Sequence, residues 1–268
     1  MLCGYFGVSR SGYYKASLVA QKEQLDEHLV LLMVRDVRRR HPRIGGRKLY
    51  SLLKSDVATS GIKLGRDRFF DLLGRHSMLV KRRRKYAHTT DSYHHFRVYR
   101  NLLKHRCLNG AHQGWVSDIT YIRCGKEFMY LFLVTDAYSR KIVGWDLSDS
   151  LAIPGAVRAL KMAIGQCPKG QRVIHHSDRG IQYCSKGYTG LLKEAGIEIS
   201  MTEENHCYEN AIAERVNGIL KQEYGLEETF SEAPLATRAV REAIGSYNNE
   251  RPHWSLGLET PDRIHRAA

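Results

Sequence analysis

Three acids in this chain sit where acids are uncommon. Asp118 lies inside an apolar and β-branched run, Trp115 to Arg123, although strands are depleted in Asp. Asp178 closes a second apolar run, Arg172 to His176, and Glu214 falls in a helical stretch with thirty-five residues between it and Asp178. Carboxylates drawn from separate elements are hard oxygen donors of the kind Mg²⁺ and Mn²⁺ prefer, and such ions promote phosphodiester cleavage and transfer. The chain holds 28 acids, so spacing alone does not single out this triple.

The stretch around Glu214 adds geometry. Asn210, Glu214, Asn217 and Lys221 follow one another at steps of four, three and four, which places them on one helix face, while Ile212, Val216 and Ile219 line another. The polar face thus carries a carboxylate, two amides and an ammonium. A merely solvated face is the competing reading, but such faces are usually richer in alternating Glu and Lys.

These residues need elements to hold them. Residues 115–123, 127–135 and 141–147 read as three consecutive antiparallel strands with turns at Gly125 and Ser139. A helix over 154–164, a buried strand over 172–176, a helix near 188–195 and a short strand over 197–200 follow, then helices over 209–224 and 234–247. The order is βββαβαβα. Upstream, residues 22–40 predict a helix with Leu25, Leu29, Leu32, Met33 and Val37 as its apolar face, ended by Pro42. Two shorter helices are expected over 46–54 and 66–74, and three short helices with Gly-containing connections suit a helix-turn-helix. The organisation read from these patterns is a helical DNA-binding region over 1–80, a basic linker over 81–112 and a catalytic domain over 113–268.

Charge separates the same regions. Residues 1–110 carry 24 Lys and Arg against 8 Asp and Glu, whereas residues 111–268 carry 18 against 20. Positive charge gathered in one region is the footprint of a phosphate-backbone binder. The residues expected to meet DNA there are Arg47, Lys48, Arg66, Arg68 and the unbroken run Lys81, Arg82, Arg83, Arg84 and Lys85. Six cysteines form no CxxC pair, so neither a zinc finger nor a redox dithiol is expected, and buried free thiols are the plain reading. The doublets His94/His95 and His175/His176 lack cysteines at ligand spacing. No apolar stretch approaches the length of about 17–25 residues needed to cross a bilayer, so a cytoplasmic protein is expected.

Five blocks carry a resemblance. DITYI around Asp118, TDAYSRKIVGW from Thr135, HSDRGIQY from His176, ENAIAERVNGILKQE from Glu209 and YNNERPHWSLGLETP from Tyr247 closely resemble the catalytic core of insertion-sequence transposases. The nearest likeness is to the second reading frame of the IS-three family, within the DDE or retroviral-integrase superfamily. SRSGYY from Ser9 and HPRIGGRKLYSLL from His41 look like the helical region preceding that core. The sequence departs from the family wording at Glu209, often Asp, and over Arg215 to Asn217.

The resemblance implies an α/β, RNase H-like fold, a mixed five-stranded sheet flanked by helices, behind a small basic all-α region. It implies catalytic and metal-ligand roles for Asp118, Asp178 and Glu214 with two Mg²⁺ (or Mn²⁺) ions per site, Asp118 bridging both. It implies 3′-end cleavage followed by strand transfer at the same site, with one element end joining near the other before insertion. The implied partners are double-stranded DNA (terminal inverted repeats and target), further copies of the chain on DNA ends, and an upstream-frame protein or frameshift fusion; the implied setting is the bacterial cytoplasm, at the nucleoid. Asn217 and Lys221 are candidate DNA contacts, and His176, Asn210 and Arg251 candidate supports. His176 could touch the scissile phosphate or merely pack, and Arg251 could fold back near the site or cap a rigid turn. A catalytically inactive DNA-binding relative and an RNase H-type nuclease are the alternatives.

Overall fold

The computed structural model describes residues 5, 7, 9–81, 97–104, 106–203 and 210–268. The chain divides into two compact units, Met1–Lys81 and Arg82–Ala268. Among the described residues no helix is long and apolar enough to cross a membrane.

The first unit is helical: α1 (Arg10–Arg40), α2 (Gly46–Thr59) and α3 (Arg66–Arg75). Helix α1 begins twelve residues before its expected start because Ser9 caps it, its hydroxyl accepting from the Gly12 amide at 2.9 Å. Its buried face also differs from expectation. Val30, Leu31, Val34 and Val37 enter the core, while Leu25, Leu29 and Leu32 are 71%, 40% and 46% exposed. Two apolar stripes compete on this helix, and ion pairs mark the one that is buried. Glu23 meets Arg68 at 3.1 Å and Glu27 meets Arg75 at 2.6 Å, so the line Glu23, Glu27, Val30, Val34, Val37 turns towards α3. Ile44, Leu49, Leu53, Phe69, Leu72 and Leu73 complete that core.

The second unit is built on one mixed sheet. Strands β1 (Gly114–Cys124), β2 (Glu127–Asp136) and β3 (Ile142–Ser148) form an antiparallel meander, and β4 (Ile174–Ser177) and β5 (Glu198–Met201) add to β1 in parallel. The order β3-β2-β1-β4-β5 puts β1 at the centre. Helix α4 (Ile153–Gln166) makes the crossover to β4, and the short α5 (Ile181–Cys184) and α6 (Lys186–Glu194) lead to β5. Helices α7 (Ala211–Tyr224) and α8 (Ala233–Asn249), a 3₁₀ turn (Trp254–Leu256) and α9 (Pro261–Arg266) follow. This is the expected RNase H-like arrangement.

Both faces of the sheet are covered, so β2 reads as a continuous apolar run rather than an alternating one. Phe132 and Val134 pack with Ala156, Ala159, Leu160 and Tyr188 on one side, and Leu131 and Leu133 with Val216, Ile219, Val240 and Tyr247 on the other. Each such fully buried Leu, Val or Phe contributes about 1.5–3 kcal/mol. Gly144 on β3 is required by close approach, since a Cβ there would collide with the Ala159 carbonyl of α4. Residues 97–104 and 106–112, expected within the linker, take part in this unit: Leu103 and Leu108 pack on Val116, Ala137 and Ala213, and the Leu102 amide donates to Ser200 Oγ at 2.8 Å. Of the described cysteines only Cys184 is buried; Cys107 is exposed and Cys124 and Cys167 lie between, against the expectation of buried thiols.

Candidate active site

Strand register brings the first two acids together. In the parallel β1–β4 pair Ser117 stands opposite Ser177, so Asp118 and Asp178 are the next residues of neighbouring strands, about 4.8 Å apart in the pairing direction. Alternation sends Trp115 and Ile119 to the α4 side, and Val116, Asp118 and Ile122 to the α7 side. Beyond β4 the chain turns sharply. The Gly180 amide donates to Asp178 Oδ1 at 3.0 Å, and a Cβ on Gly180 would stand 3.0 Å from that oxygen, so the loop needs glycine where it folds back on the carboxylate.

Helix α7 supplies the third acid. It starts after Asn210 and ends at Gly225, which adopts φ 75 in the left-handed region. Its polar face meets β1 through two amides. Asn210 Nδ2 donates to the Ser117 carbonyl at 3.1 Å, and Asn217 Nδ2 donates to Asp118 Oδ2 at 2.8 Å. The Ile119 amide donates to the other oxygen, Asp118 Oδ1, at 2.9 Å. Glu214 is exposed, one turn before Asn217 on the same face.

Asp118 is 8% exposed, and its acidity records the crowding. Burial first, then the charge of Asp178 and, less strongly, that of Glu214 push its carboxyl from the ordinary range up to about 7, against the opposing bonds from Ile119 and Asn217. All three acids therefore share one electrostatic field. Lys221 lies in the same field: burial lowers its pKa, while Asp118 and Glu227 favour its charge. The Tyr183 hydroxyl is buried beside this cluster and held well above its usual pKa by burial, Tyr188, Asp118 and Asp178. Tyr183 was not singled out from sequence; its place five residues after Asp178 in an Asp-x-Gly turn is the signal that could have found it.

The donor set fits a divalent cation. Three carboxylates offer only hard oxygen, Asp118 is costly to bury ionised without a countercharge, and no thiol or imidazole competes within the trio. Among the described residues no three His, Cys, Asp or Glu side chains already stand around a common point. Asp118 and half-buried Asp178 follow the last paired residues of β1 and β4, and exposed Glu214 lies on the α7 face that bonds Asp118.

The remaining predicted residues divide. His176 is fully buried with Nδ1 2.8 Å from Ser200 Oγ, so it packs between β4 and β5. His175 faces the other side of the sheet, its Nε2 2.7 Å from Ser117 Oγ and 2.9 Å from the Tyr188 hydroxyl. Arg251 is buried and bonds Glu223 of α7 through two nitrogens, each at 2.8 Å, with its guanidinium over Tyr247; it braces the helix carrying Glu214. In the first unit Arg47 is exposed, Arg66 pairs with Asp67 at 3.0 Å, and Arg68 is the partner of Glu23. Lys48, expected at DNA, is buried in α2 at 8% exposure, because its position lies on the helix face next to Leu49 that packs inward. Lys81 is exposed, and Arg82, Arg83, Arg84, Lys85, His94, His95 and Glu209 lie outside the described residues.

Known proteins share this chain's features. A family model described as Integrase core domain matches residues 109–207, and a second with the same description matches residues 195–261. The chain is 35% identical over 265 residues to the insertion element IS600 uncharacterized 31 kDa protein of Shigella sonnei, covering 97% of this chain and 96% of that protein. It is 30% identical over 264 residues to the transposase InsF for insertion sequence IS3A of Escherichia coli (strain K12), covering 96% and 90%. A chain of the simian T-cell lymphotropic virus intasome in complex with PP2A regulatory subunit B56 gamma aligns with TM-score 0.51 and 18% identity, over 84% of this chain and 75% of its own length, which speaks for the fold.

Proposed function

The chain belongs to the IS3 family of DDE transposases, and from that premise we propose that Asp118, Asp178 and Glu214 are its catalytic carboxylates and hold divalent metal. As a DNA transposase it breaks and rejoins phosphodiesters. The observation that carries the assignment is geometric: Asp118 and Asp178 follow the paired residues Ser117 and Ser177, and Asn217, one turn from Glu214, bonds Asp118 at 2.8 Å; burial first, then Asp178 and Glu214, push the Asp118 carboxyl up. Acids gathered at such cost around a buried carboxylate are the mark of a functional site.

Asp118, Asp178 and Glu214 would hold Mg²⁺ or Mn²⁺; when bound, such ions would supply activation of the attacking oxygen and charge stabilisation on the leaving one. In cleavage, water adds to the phosphorus at the element's end and the P–O bond to the 3′ oxygen breaks, freeing a 3′ hydroxyl. In transfer that hydroxyl attacks a second phosphodiester, one P–O bond forming as another breaks, so no high-energy cofactor is consumed. Lys221, on the Glu214 face, is suited to a phosphate near the cut. Exposed Arg47, Arg66 and Arg68, with Lys81 and the run Arg82 to Lys85, are suited to the backbone of terminal-repeat and target duplexes. Further copies of the chain would assemble on the two ends, and an upstream frame, alone or joined by frameshifting, would complete the working protein.

The test is a strand-transfer assay on labelled duplex ends bearing the inverted repeat that flanks this reading frame, with the chain alone and fused to the preceding frame. Asp118→Asn is expected to lower cleavage and joining by about 10³-fold or more, while binding to the end is kept. Undiminished joining by the variant refutes the assignment. Cleavage without any joined product marks a nuclease, and end binding with neither product in the parent marks an inactive relative.

A further inference from the structure

We infer that Asn217 is a positioning residue for Asp118 and not a DNA contact; this rests on the assignment of Asp118 above. Three observations carry it. The amide Nδ2 donates to Asp118 Oδ2 at 2.8 Å, the side chain is 7% exposed, and Asn217 Oδ1 is buried with no hydrogen-bond partner among the described residues. A groove-reading amide would instead present both its atoms to solvent.

The bond fixes more than a distance. An ionised carboxylate only accepts, so the amide nitrogen, not its oxygen, must face Asp118. With the Ile119 amide on Oδ1 and Asn217 on Oδ2, each oxygen has one donor and the carboxylate plane cannot rotate. One lone-pair direction per oxygen is left open to a cation. Nothing else among the described side chains bonds Asp118.

Helix geometry couples this to the third acid. Asn217 follows Glu214 by three residues on one face, so the amide that sets the orientation of Asp118 is a single turn from Glu214. Asn210, on the same face, anchors the start of α7 to the Ser117 carbonyl at 3.1 Å, and its Oδ1 is likewise buried without a partner among the described residues. The helix is thus tied to β1 on both sides of Glu214, by donors whose acceptor halves remain unspent. A buried acceptor without a partner costs about 1–3 kcal/mol, and such cost is tolerated where a group serves function rather than packing.

The test uses the full chain in whichever form the parent is active, alone or fused. Three variants are measured: Asn217→Leu, of similar size without a donor; Asn217→Asp, the same shape with acceptors in place of donors; and Asn217→Gln, which keeps the amide on a longer arm. Joining rate at saturating duplex end is read beside affinity for that end in EDTA, by anisotropy, and beside the thermal midpoint. Loss of an outer-layer partner typically costs about 10–100-fold, so that decrease is expected in rate for Asn217→Leu, a larger one for Asn217→Asp, and a smaller one for Asn217→Gln, all with end affinity within about twofold of the parent. Affinity falling in step with rate would overturn the inference in favour of a DNA contact. Rates within about threefold of the parent for Asn217→Leu or, should that variant not fold, for Asn217→Asp would overturn it as well. Asp118→Asn run alongside separates the two claims: if it remains active the catalytic assignment fails, and if only the Asn217 variants remain active the positioning role fails.

Discussion

Two buried aspartates on adjacent central strands of the sheet show what separates a clamp from a site. Asp136, at the end of β2, is fully buried, and donors surround it: the His112 amide at 2.7 Å, the Ser139 amide at 2.7 Å and the Ser139 hydroxyl at 2.8 Å. Ser139 Oγ also lies 2.9 Å from His265 Nδ1, and His265 Nε2 lies 3.0 Å from His112 Nε2, so the turn after β2, the entry to β1 and helix α9 are knotted together. Asp118, in the middle of β1, is 8% exposed with two donors and two acidic neighbours. A carboxylate met by three donors that tie separate segments together holds structure. One that keeps lone pairs beside other acids is held ready for something positive.

Exchanging each acid for its amide should separate the two roles most sharply. Asp136→Asn turns an acceptor into a donor against N–H groups, so about 3 kcal/mol should be lost, lowering the thermal midpoint by about 6–12 °C. Asp118→Asn removes a buried charge, so in EDTA at pH 8 the midpoint is expected to stay or rise. A melt in which Asp118→Asn is the more damaging change would reverse the comparison.

The pH dependence of stability in EDTA is a smaller effect that carries the same contrast. Asp118 has its folded pKa raised to about 7, so its contribution to stability is present in full below its unfolded value and is lost as pH rises through about 7. His175 is lowered to about 3 by burial and then by His176, and His265 to about 4 chiefly by burial. Both favour the fold as neutral rings, so their contribution is present above about 6.5 and is lost as pH falls. The two windows overlap between about pH 4 and 6.5, where the Asp118 contribution falls with rising pH while the histidine contributions grow, so in denaturant titrations Asp118→Asn should steepen the gain in stability with pH across that range. A variant with the parent's slope would detach the opposing contribution from Asp118.

Least of all, Lys141→Gln should cost about 1 kcal/mol, since its pair with Asp262 at 2.9 Å is mostly buried and ties α9 beside the Asp136 turn. Joining activity should be unaffected, and a matching fall in joining would connect the clamp to the site.

Much of this was legible in the sequence, for reasons that differ by element. The sequence places the meander within one or two residues because β-branched and aromatic runs bounded by turn residues leave few alternatives. The buried face of α1 is not legible because two apolar stripes run along it, and only the pairing of Glu23 and Glu27 with arginines on another helix decides between them. Helices α5 and α9, with 4 and 6 residues, are too short for periodicity to register. The shared face of Asn210, Glu214, Asn217 and Lys221 follows from spacing alone. That Asn217 aims at Asp118 does not, since it depends on how α7 is rotated against β1. Nor could sequence tell His176 from His175, because both rings are buried on opposite sides of one four-residue strand. Asp136, like Asp118, lies in one of the resembling blocks, and only the donors and acids around each separate them.

The central claim, that Asp118, Asp178 and Glu214 meet on shared metal, is tested most directly by anomalous diffraction from crystals of the protein with Mn²⁺ and a duplex end. The account predicts manganese within about 2.2 Å of carboxylate oxygens of Asp118 and Asp178, with Glu214 turned in to join them. Manganese bound elsewhere, or carboxylates that stay apart with no ion between them at saturating metal, would contradict it.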